Sequence, residues 1–317
     1  MRRAALSSVA GLTTAVLLLA GCSSPPSKSG SAGTGSSVTA GSGAAPVIAA
    51  AGDIACEPGR APTPTKCQQA ATSHLLDGVQ LAGVLTLGDE QYVEGRIKGF
   101  RSVYAPTWGR YLSITHPAPG NHEYKSSDEL KGYYEYFGKQ AGGNPTHPYY
   151  SFDIGSWHIV ALDAACGLIG GCDVGSPEER WLAADLAAHP AACTLAYWHE
   201  PRFSSGGHGD NTFVSAFWQD LYAAHADVVL NGHDHDYERF GPQTPQGVAD
   251  PANGIREFVV GTGGKSLRPL HRPKPNSEAR ADSFGVLFLT LGAGSYSWHF
   301  RSIPGGSFSD SGTGTCH

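Results

Sequence analysis

An α/β fold whose strands end along one common edge is the class this sequence predicts, and two observations carry the prediction. Five separate apolar segments close in the same order, on a small residue or proline followed by Asp, Asn or His, and stretches with helical spacing lie between them. Strands that alternate with helices run parallel, and open α/β sheets gather their sites beyond the carboxyl ends of those strands. The 42 glycines and 21 prolines add a third point, since so many turn formers suit a strand-rich scaffold with function on its loops.

In order, Val47 to Ala51 reads as the first strand and ends at Gly52-Asp53. A proline-rich loop between Cys56 and Cys67 leads to a helix from Gln68 to about Gly78, and a second strand, Leu81 to Leu87, ends at Gly88-Asp89. Glu94 to about Tyr111 has helical spacing, with Phe100, Tyr104, Trp108 and Tyr111 forming an aromatic face to pack on a sheet. Tyr111 to Pro117 is the third apolar segment and runs into Gly120-Asn121-His122-Glu123, after which Asp128 to Phe137 reads as a helix. Tyr149 to Ile154 and Trp157 to Asp163 are strands about a Gly155-Ser156 turn. Ser176-Pro177-Glu178-Glu179 opens a helix with a capping serine, proline at the first helical position and Glu three residues on; Pro190 stops it after about His189. Cys193 to Trp198 is a strand ending in His199-Glu200-Pro201, and a glycine-rich loop bearing His208 precedes a helix from about Asn211 to Ala224. Val228-Val229-Leu230 follows and ends at Gly232-His233-Asp234-His235. If that segment is extended, His233 and His235 point the same way. Phe258 to Val260 and two late strands between Phe284 and Arg301 complete the set, with Lys265 to Asp282 read as a loop.

The bulk numbers narrow the classes. Of 317 residues 40% are hydrophobic and 16% charged, so the chain can bury a core, and a net charge of -6 lacks the basic excess of a nucleic-acid binder. Residues 1–22 read as a leader: Arg2-Arg3, an apolar run too short for a comfortable span, then Leu19-Ala20-Gly21-Cys22. That ending resembles a bacterial lipobox, which implies export, cleavage before Cys22 and a lipid anchor on it at the outer face of the cell membrane. Residues 23–45 are nearly all Ser, Gly, Ala, Thr and Pro and read as a flexible tether, so that residues 46–317 remain for a single catalytic domain. Setting Cys22 aside leaves six cysteines, which in an exported chain read as disulfides. Fifteen pairings are possible. Cys56 with Cys67 and Cys166 with Cys172 would close short loops, leaving Cys193 to hold the tail through Cys316; the sequence leaves the other pairings open.

The residues gathered at the strand ends are Asp53, Asp89, Tyr92, Asn121, His122, His199, His208, His233 and His235. Oxygen donors mixed with imidazoles suit iron, manganese or zinc better than a thiolate-loving ion. A carboxylate has two oxygens, so it can bridge two ions about 3.5–4 Å apart. His74, His116, His147, His158, His189, His225, His299 and His317 sit on helices and strands, before prolines or at the terminus, and read as structural.

The blocks Asp53-x-Ala55, Gly88-Asp89-x-x-Tyr92, Gly120-Asn121-His122-Glu123, Ala196-x-x-His199 and Gly232-His233-x-His235 resemble the five ordered blocks of the calcineurin-like metallophosphoesterases, and more narrowly those of purple acid phosphatases. Many relatives carry a metal-binding histidine where this chain has Ala55; Tyr92 offers a phenolate in compensation. The resemblance implies two β-sheets sandwiched and flanked by helices. It also implies a dinuclear centre, Fe(III) with Fe(II), Zn(II) or Mn(II), in which Asp53, Asp89, Tyr92 and His235 bind the first ion. Asp89 as bridge, Asn121, His199 and His233 bind the second. His122 resembles the histidine that contacts phosphate or protonates the leaving group, and His208 one that contacts substrate. Glu90, Asp234 and Glu238 are candidates to orient these ligands. The expected activity is hydrolysis of small phosphate monoesters by hydroxide generated at the metals. A phosphodiesterase acting on nucleotides or phospholipid head groups, or a lipoprotein that binds phosphate without cleaving it, are the competing readings.

Overall fold

The computed structural model describes residues 43–317; the leader, Cys22 and all but the last three residues of the expected tether lie outside that range. In chain order the strands are β1 Val47–Ala51, β2 Leu81–Leu87, β3 Thr115–Ala118, β4 Tyr150–Ile154, β5 Trp157–Ala161, β6 Cys193–Tyr197 and β7 Val228–Asn231. They continue with β8 Tyr237–Phe240, β9 Arg256–Val260, β10 Ser277–Ala281, β11 Gly285–Leu291, β12 Ser295–Ser302 and β13 Ser309–Thr315. They form two sheets, of order β13-β12-β11-β1-β2-β3 and β10-β8-β9-β7-β6-β5-β4. β1, β2 and β3 run parallel in the first, and β5, β6, β7 and β9 run parallel in the second. Antiparallel strands flank both sets.

Side-chain alternation explains the layering. In the second sheet Ile159, Leu195, Tyr197, Val228, Leu230, Phe258 and Val260 join a core cluster with Ile48, Ala50, Val84, Leu85 and Leu287 of the first. Their neighbours Val160, Ala196, Val229 and Val259 face the other way, onto Leu182, Phe217, Trp218 and Leu221 of the helices Pro177–Ala188 and Ser215–Ala223. Strands buried on both faces read as continuous apolar runs, which is why they are visible in the sequence. The result is a two-sheet sandwich flanked by helices. Asp310 of β13 fastens the two sheets together, accepting from Tyr237 Oη at 2.7 Å and Arg239 Nε at 2.7 Å on β8, and from Trp298 Nε1 at 3.0 Å on β12.

Cys56–Cys67, Cys166–Cys172 and Cys193–Cys316 are the disulfides, and the last ties the C-terminus to β6. The helix Pro177–Ala188 begins as its signals indicate: Ser176 Oγ accepts from Glu179 N at 3.3 Å while Glu179 Oε2 reaches back to Gly175 N at 2.8 Å. The helix expected over Glu94 to Tyr111 is broken instead into Ile97–Gly99, Phe100–Tyr104 and Trp108–Ile114. Pro106 lacks an N–H and disfavours helical backbone at Ala105, so the aromatic spacing survives while the continuous helix does not. Its last turn takes Tyr111 to Ile114 out of the expected third strand, which begins only at Thr115. β10 lies inside the segment expected to be a loop. Among the described residues no helix is long and apolar enough to cross a membrane.

Candidate metal centre

The strand ends share a backbone device. Asp53 after β1, Asp89 after β2 and His233 after β7 all have left-handed backbone, with φ of 58°, 53° and 70°. Non-glycine residues rarely occupy that region, and such strain gathers at functional sites. Here Asp53 N donates to Gly88 O at 3.0 Å, and Glu123, fully buried, accepts from Asp89 N and Gly120 N at 3.0 Å each. The glycines before the ligands are needed for space. A Cβ on Gly88 would lie 2.6 Å from His199 Nδ1, and one on Gly232 would lie 2.7 Å from Leu87 O and 2.8 Å from Asp53 Oδ2.

The first sheet brings oxygen donors and the second brings imidazoles. Tyr92 Oη donates to Asp53 Oδ1 at 2.6 Å, and His235 Nε2 stands 3.2 Å from that hydroxyl and 3.1 Å from the same carboxylate oxygen. On the other side His199 Nε2 lies 3.4 Å from Asp89 Oδ2 and 3.2 Å from His233 Nδ1. Asp53, Asp89 and His199 offer ligand atoms that all fall within 4.8 Å of one another, and so do His199, Glu200 and His233. His235 and His233 do not project side by side, because the left-handed turn at His233 interrupts the expected extended segment. They serve opposite sides of the cluster instead.

Hydrogen bonding turns one nitrogen of each imidazole inward. His199 Nδ1 is 2.8 Å from Leu87 O and His235 Nδ1 is 2.7 Å from Ser266 Oγ, so a proton on each Nδ1 leaves the Nε2 lone pair aimed at the carboxylates. Asn121 Oδ1 is buried with no hydrogen-bond partner at all. Unpartnered buried oxygens are uncommon and call for an explanation. A cation supplies one, and the donor set fits it.

Without a cation the electrostatics put a proton in its place: although burial opposes it, Asp89 raises His199 well above the usual histidine value, so a metal ion would take over the charge that this proton supplies. Burial opposes charge on Asp89 and Asp53, yet His199 and His235 hold their carboxyls below the ordinary range. Burial and the charges of His199 and His208 push His233 down to about 3, which keeps its imidazole neutral and able to ligate. Burial, with the charges of Asp53 and Asp89, raises the Tyr92 phenol well above its usual value. A phenolate at Tyr92 therefore requires a cation beside it.

His122 sits at the mouth of the cluster. Its Nδ1 is 2.5 Å from Val93 O, its Nε2 is 2.6 Å from Lys125 Nζ and 3.7 Å from Asp89 Oδ2, and its ring lies 4.2 Å from that of Tyr92. His208 stacks on His233 at 4.0 Å, with Nδ1 3.2 Å from Asp234 Oδ1 and Nε2 2.7 Å from Arg268. Of the three carboxylates considered as orienters, Asp234 touches a site histidine. Glu90 accepts from Thr86 and Glu238 from Ser205 and Ser277. The partners not anticipated are Glu123, Ser266, Lys125 and Arg268. Only Glu123 left a trace in the sequence, as the last residue of the Gly120-Asn121-His122-Glu123 block.

The fold and donor set define an α/β protein built to hold metal at its strand ends. Residues 47–237 match the calcineurin-like phosphoesterase family, and the chain belongs to it. Similar curated proteins include purple acid phosphatase 22 of Arabidopsis thaliana, 34% identical over 165 residues, covering 48% of this chain and 36% of the relative. Purple acid phosphatase 21 of the same plant is 30% identical over 241 residues, covering 67% of this chain and 54% of the relative. The chain thus spans between a third and about a half of the length of these relatives. Among solved structures, purple acid phosphatase PPD1 from yellow lupin (Lupinus luteus) seeds superposes with a TM-score of 0.66 at 19% identity, over 84% of this chain and 53% of that one, which shows the shared fold. The family implies a dinuclear metal centre.

Proposed function

We propose that this chain hydrolyses small phosphate monoesters at a dinuclear metal centre, in the manner of an acid phosphatase. The observation that carries the reading is the convergence of Asp53 and Asp89 from one sheet with His199 from the other, whose ligand atoms all fall within 4.8 Å of one another, together with a buried Asn121 Oδ1 that has no partner. Asp53, Asp89, Tyr92 and His235 would hold one ion, Fe(III); Asp89, Asn121, His199 and His233 would hold the other, Fe(II), Zn(II) or Mn(II). When bound, such a pair lowers the pKa of water and neutralises charge on phosphoryl oxygens.

The chain's own part is orientation and proton handling. Glu123 fixes the turns that present Asp89 and Asn121, and Leu87 and Ser266 fix the ring orientations of His199 and His235. His122 gives its Nδ1 proton to Val93 O and accepts from Lys125 Nζ at Nε2, so the two side chains together can hydrogen-bond a phosphoryl oxygen or pass a proton to the departing alcohol. Burial lowers the His122 pKa, with Asp89 opposing, which favours use of its acid form at acidic pH. Arg268, which donates to His208 Nε2, adds a positive charge beside the ring stacked on His233. In the cell we place the protein outside the cytoplasm, anchored through lipid on Cys22; three disulfides fit an oxidising compartment.

Turnover of 4-nitrophenyl phosphate against bis(4-nitrophenyl) phosphate, alongside elemental analysis, tests the reading. Preferred cleavage of the monoester by protein holding two metal ions is expected. Diester preference would move the chain to the phosphodiesterases, and tight phosphate binding without turnover of either ester would make it a binding protein. Tyr92→Phe should abolish a visible phenolate-to-iron absorption in the oxidised protein; a colourless wild type would remove the ferric assignment.

A further inference from the structure

Next to Asn121 the character of the cleft changes. A recess of about 430 Å³ opens there, lined by Tyr124, Ala164, Leu168 and Phe213 and by the chain around Cys166. Leu168 is 60% exposed and Phe213 41% exposed, so two large apolar side chains rim the recess in contact with water. They come from separate loops. Leu168 lies in the short loop closed by Cys166–Cys172 after β5, and Phe213 in the 3-10 turn Thr212–Val214 beyond the His208 loop. The hydroxyl of Tyr124 is already engaged by Asp163, which leaves its ring to line the recess.

We propose that this recess binds the organic group of the phosphate ester, and that the substrates are monoesters of apolar, ring-bearing alcohols rather than of sugars and other polyols. The inference rests on the phosphoesterase reading. Asn121 belongs to both features: it lies between Gly120, which packs on Asp89, and His122, whose N donates to Asp89 Oδ1 at 2.8 Å, and the same residue forms one wall of the recess. A phosphate held by the donors therefore has its ester substituent next to the apolar walls. A polyol there would bury hydroxyls against Ala164, Leu168 and Phe213 with no partner for them, which is costly, whereas an aromatic or branched apolar group removes its own surface and theirs from water. The volume is within the range of small-ligand sites, about 300–1,000 Å³.

The test compares 2-naphthyl phosphate, phenyl phosphate and glycerol 2-phosphate on the metal-loaded full chain, with calorimetric affinities for naphthylmethylphosphonate and methylphosphonate as a readout that needs no turnover. The naphthyl phosphonate should bind about tenfold or more tighter than the methyl one, and kcat/KM for naphthyl phosphate should exceed that for phenyl phosphate, whose leaving group is of similar basicity. Leu168→Asp and Phe213→Ser, both at exposed positions, should each lower the naphthyl-to-glycerol ratio and the phosphonate affinity ratio by on the order of tenfold. Ratios that stay put in both variants, or a wild type that favours glycerol 2-phosphate, overturn the recess assignment. Should no ester be turned over while the naphthyl phosphonate still binds more tightly than the methyl one, the phosphoesterase reading fails and the apolar recess stands as a binding site. Equal affinities for the two phosphonates sink the recess whatever the turnover.

Discussion

Among the described residues two clusters combine histidine with aspartate, and residue type does not tell them apart. His158, Asp185 and His189 could converge on one ion just as Asp53, Asp89 and His199 could. The difference is in what remains unused. His158 is held from both sides, with Nε2 2.9 Å from Asp185 Oδ2 and Nδ1 3.1 Å from Asp153 Oδ1, and His189 Nδ1 reaches the backbone oxygen of Asp185 at 2.9 Å. A cation there would have to displace hydrogen bonds already made. At the strand ends His199 and His235 each give one nitrogen to a backbone carbonyl or a hydroxyl, keep the other facing carboxylates, and Asn121 Oδ1 has nothing. Nitrogens turned toward shared carboxylates, rather than the mere presence of His and Asp, distinguish the candidate metal centre.

The largest test of this contrast is Asp89→Asn, which keeps the shape and removes the shared charge. It should cost at least one bound ion by elemental analysis and lower monoester turnover by about a thousandfold or more. Full metal content with full turnover would show that the open cluster is not the centre. His122→Ala sharpens the boundary of that cluster: metal content should persist while kcat falls about ten- to a hundredfold, the usual contribution of a proton-transferring group. Metal loss would move His122 among the ligands. The closed cluster is broken by His158→Asn, for which metal content and turnover should be unchanged. Stability should drop by about 2–4 kcal/mol in urea unfolding, because Asp185 loses its buried partner.

The smallest effect concerns carboxyls buried away from both clusters. Burial raises Glu257 well above the ordinary value and Asp227 to about 6. A carboxyl whose folded pKa exceeds its unfolded value near about 4 takes up a proton on folding, so its stabilisation is fully present below that value and is lost as pH rises through the folded one. The thermal midpoint of metal-free protein should therefore fall between about pH 5 and pH 8. Glu257→Gln should flatten that slope; an unchanged slope would assign it to other groups.

What the sequence disclosed follows from these same physics. Asp53, Asp89, Asn121 and His233 stood out as candidates because each follows a strand and a glycine, and a Cβ on Gly88, Gly120 or Gly232 would come within 2.8 Å of His199, Asp89 or Asp53; His199 follows its strand with no glycine between. The left-handed turn at His233 was not legible, since non-glycine residues rarely adopt it and nothing local announces it. Nor were Ser266 and Arg268, which reach the centre from a segment with no regular pattern. β13 escaped because Ser309 to Thr315 has no apolar alternation; Gly312 and Gly314 pair with β12 under Trp298 and Tyr296, and the disulfide to Cys193 secures the end. The broken helix before Trp108 shows the opposite failure, a true aromatic face on a chain that Pro106 cannot let run straight.

One pairing in the first sheet bears on how the molecule is made. β1 lies between β2 and β11, so the strand that delivers Asp53 waits for a neighbour more than two hundred residues downstream. β7 likewise needs β9. The family-matched stretch 47–237 is consequently not a folding unit: cut there, it would leave β1 and β7 each with a bare edge, and a nascent chain cannot seal the sandwich until its final strands have emerged from the ribosome.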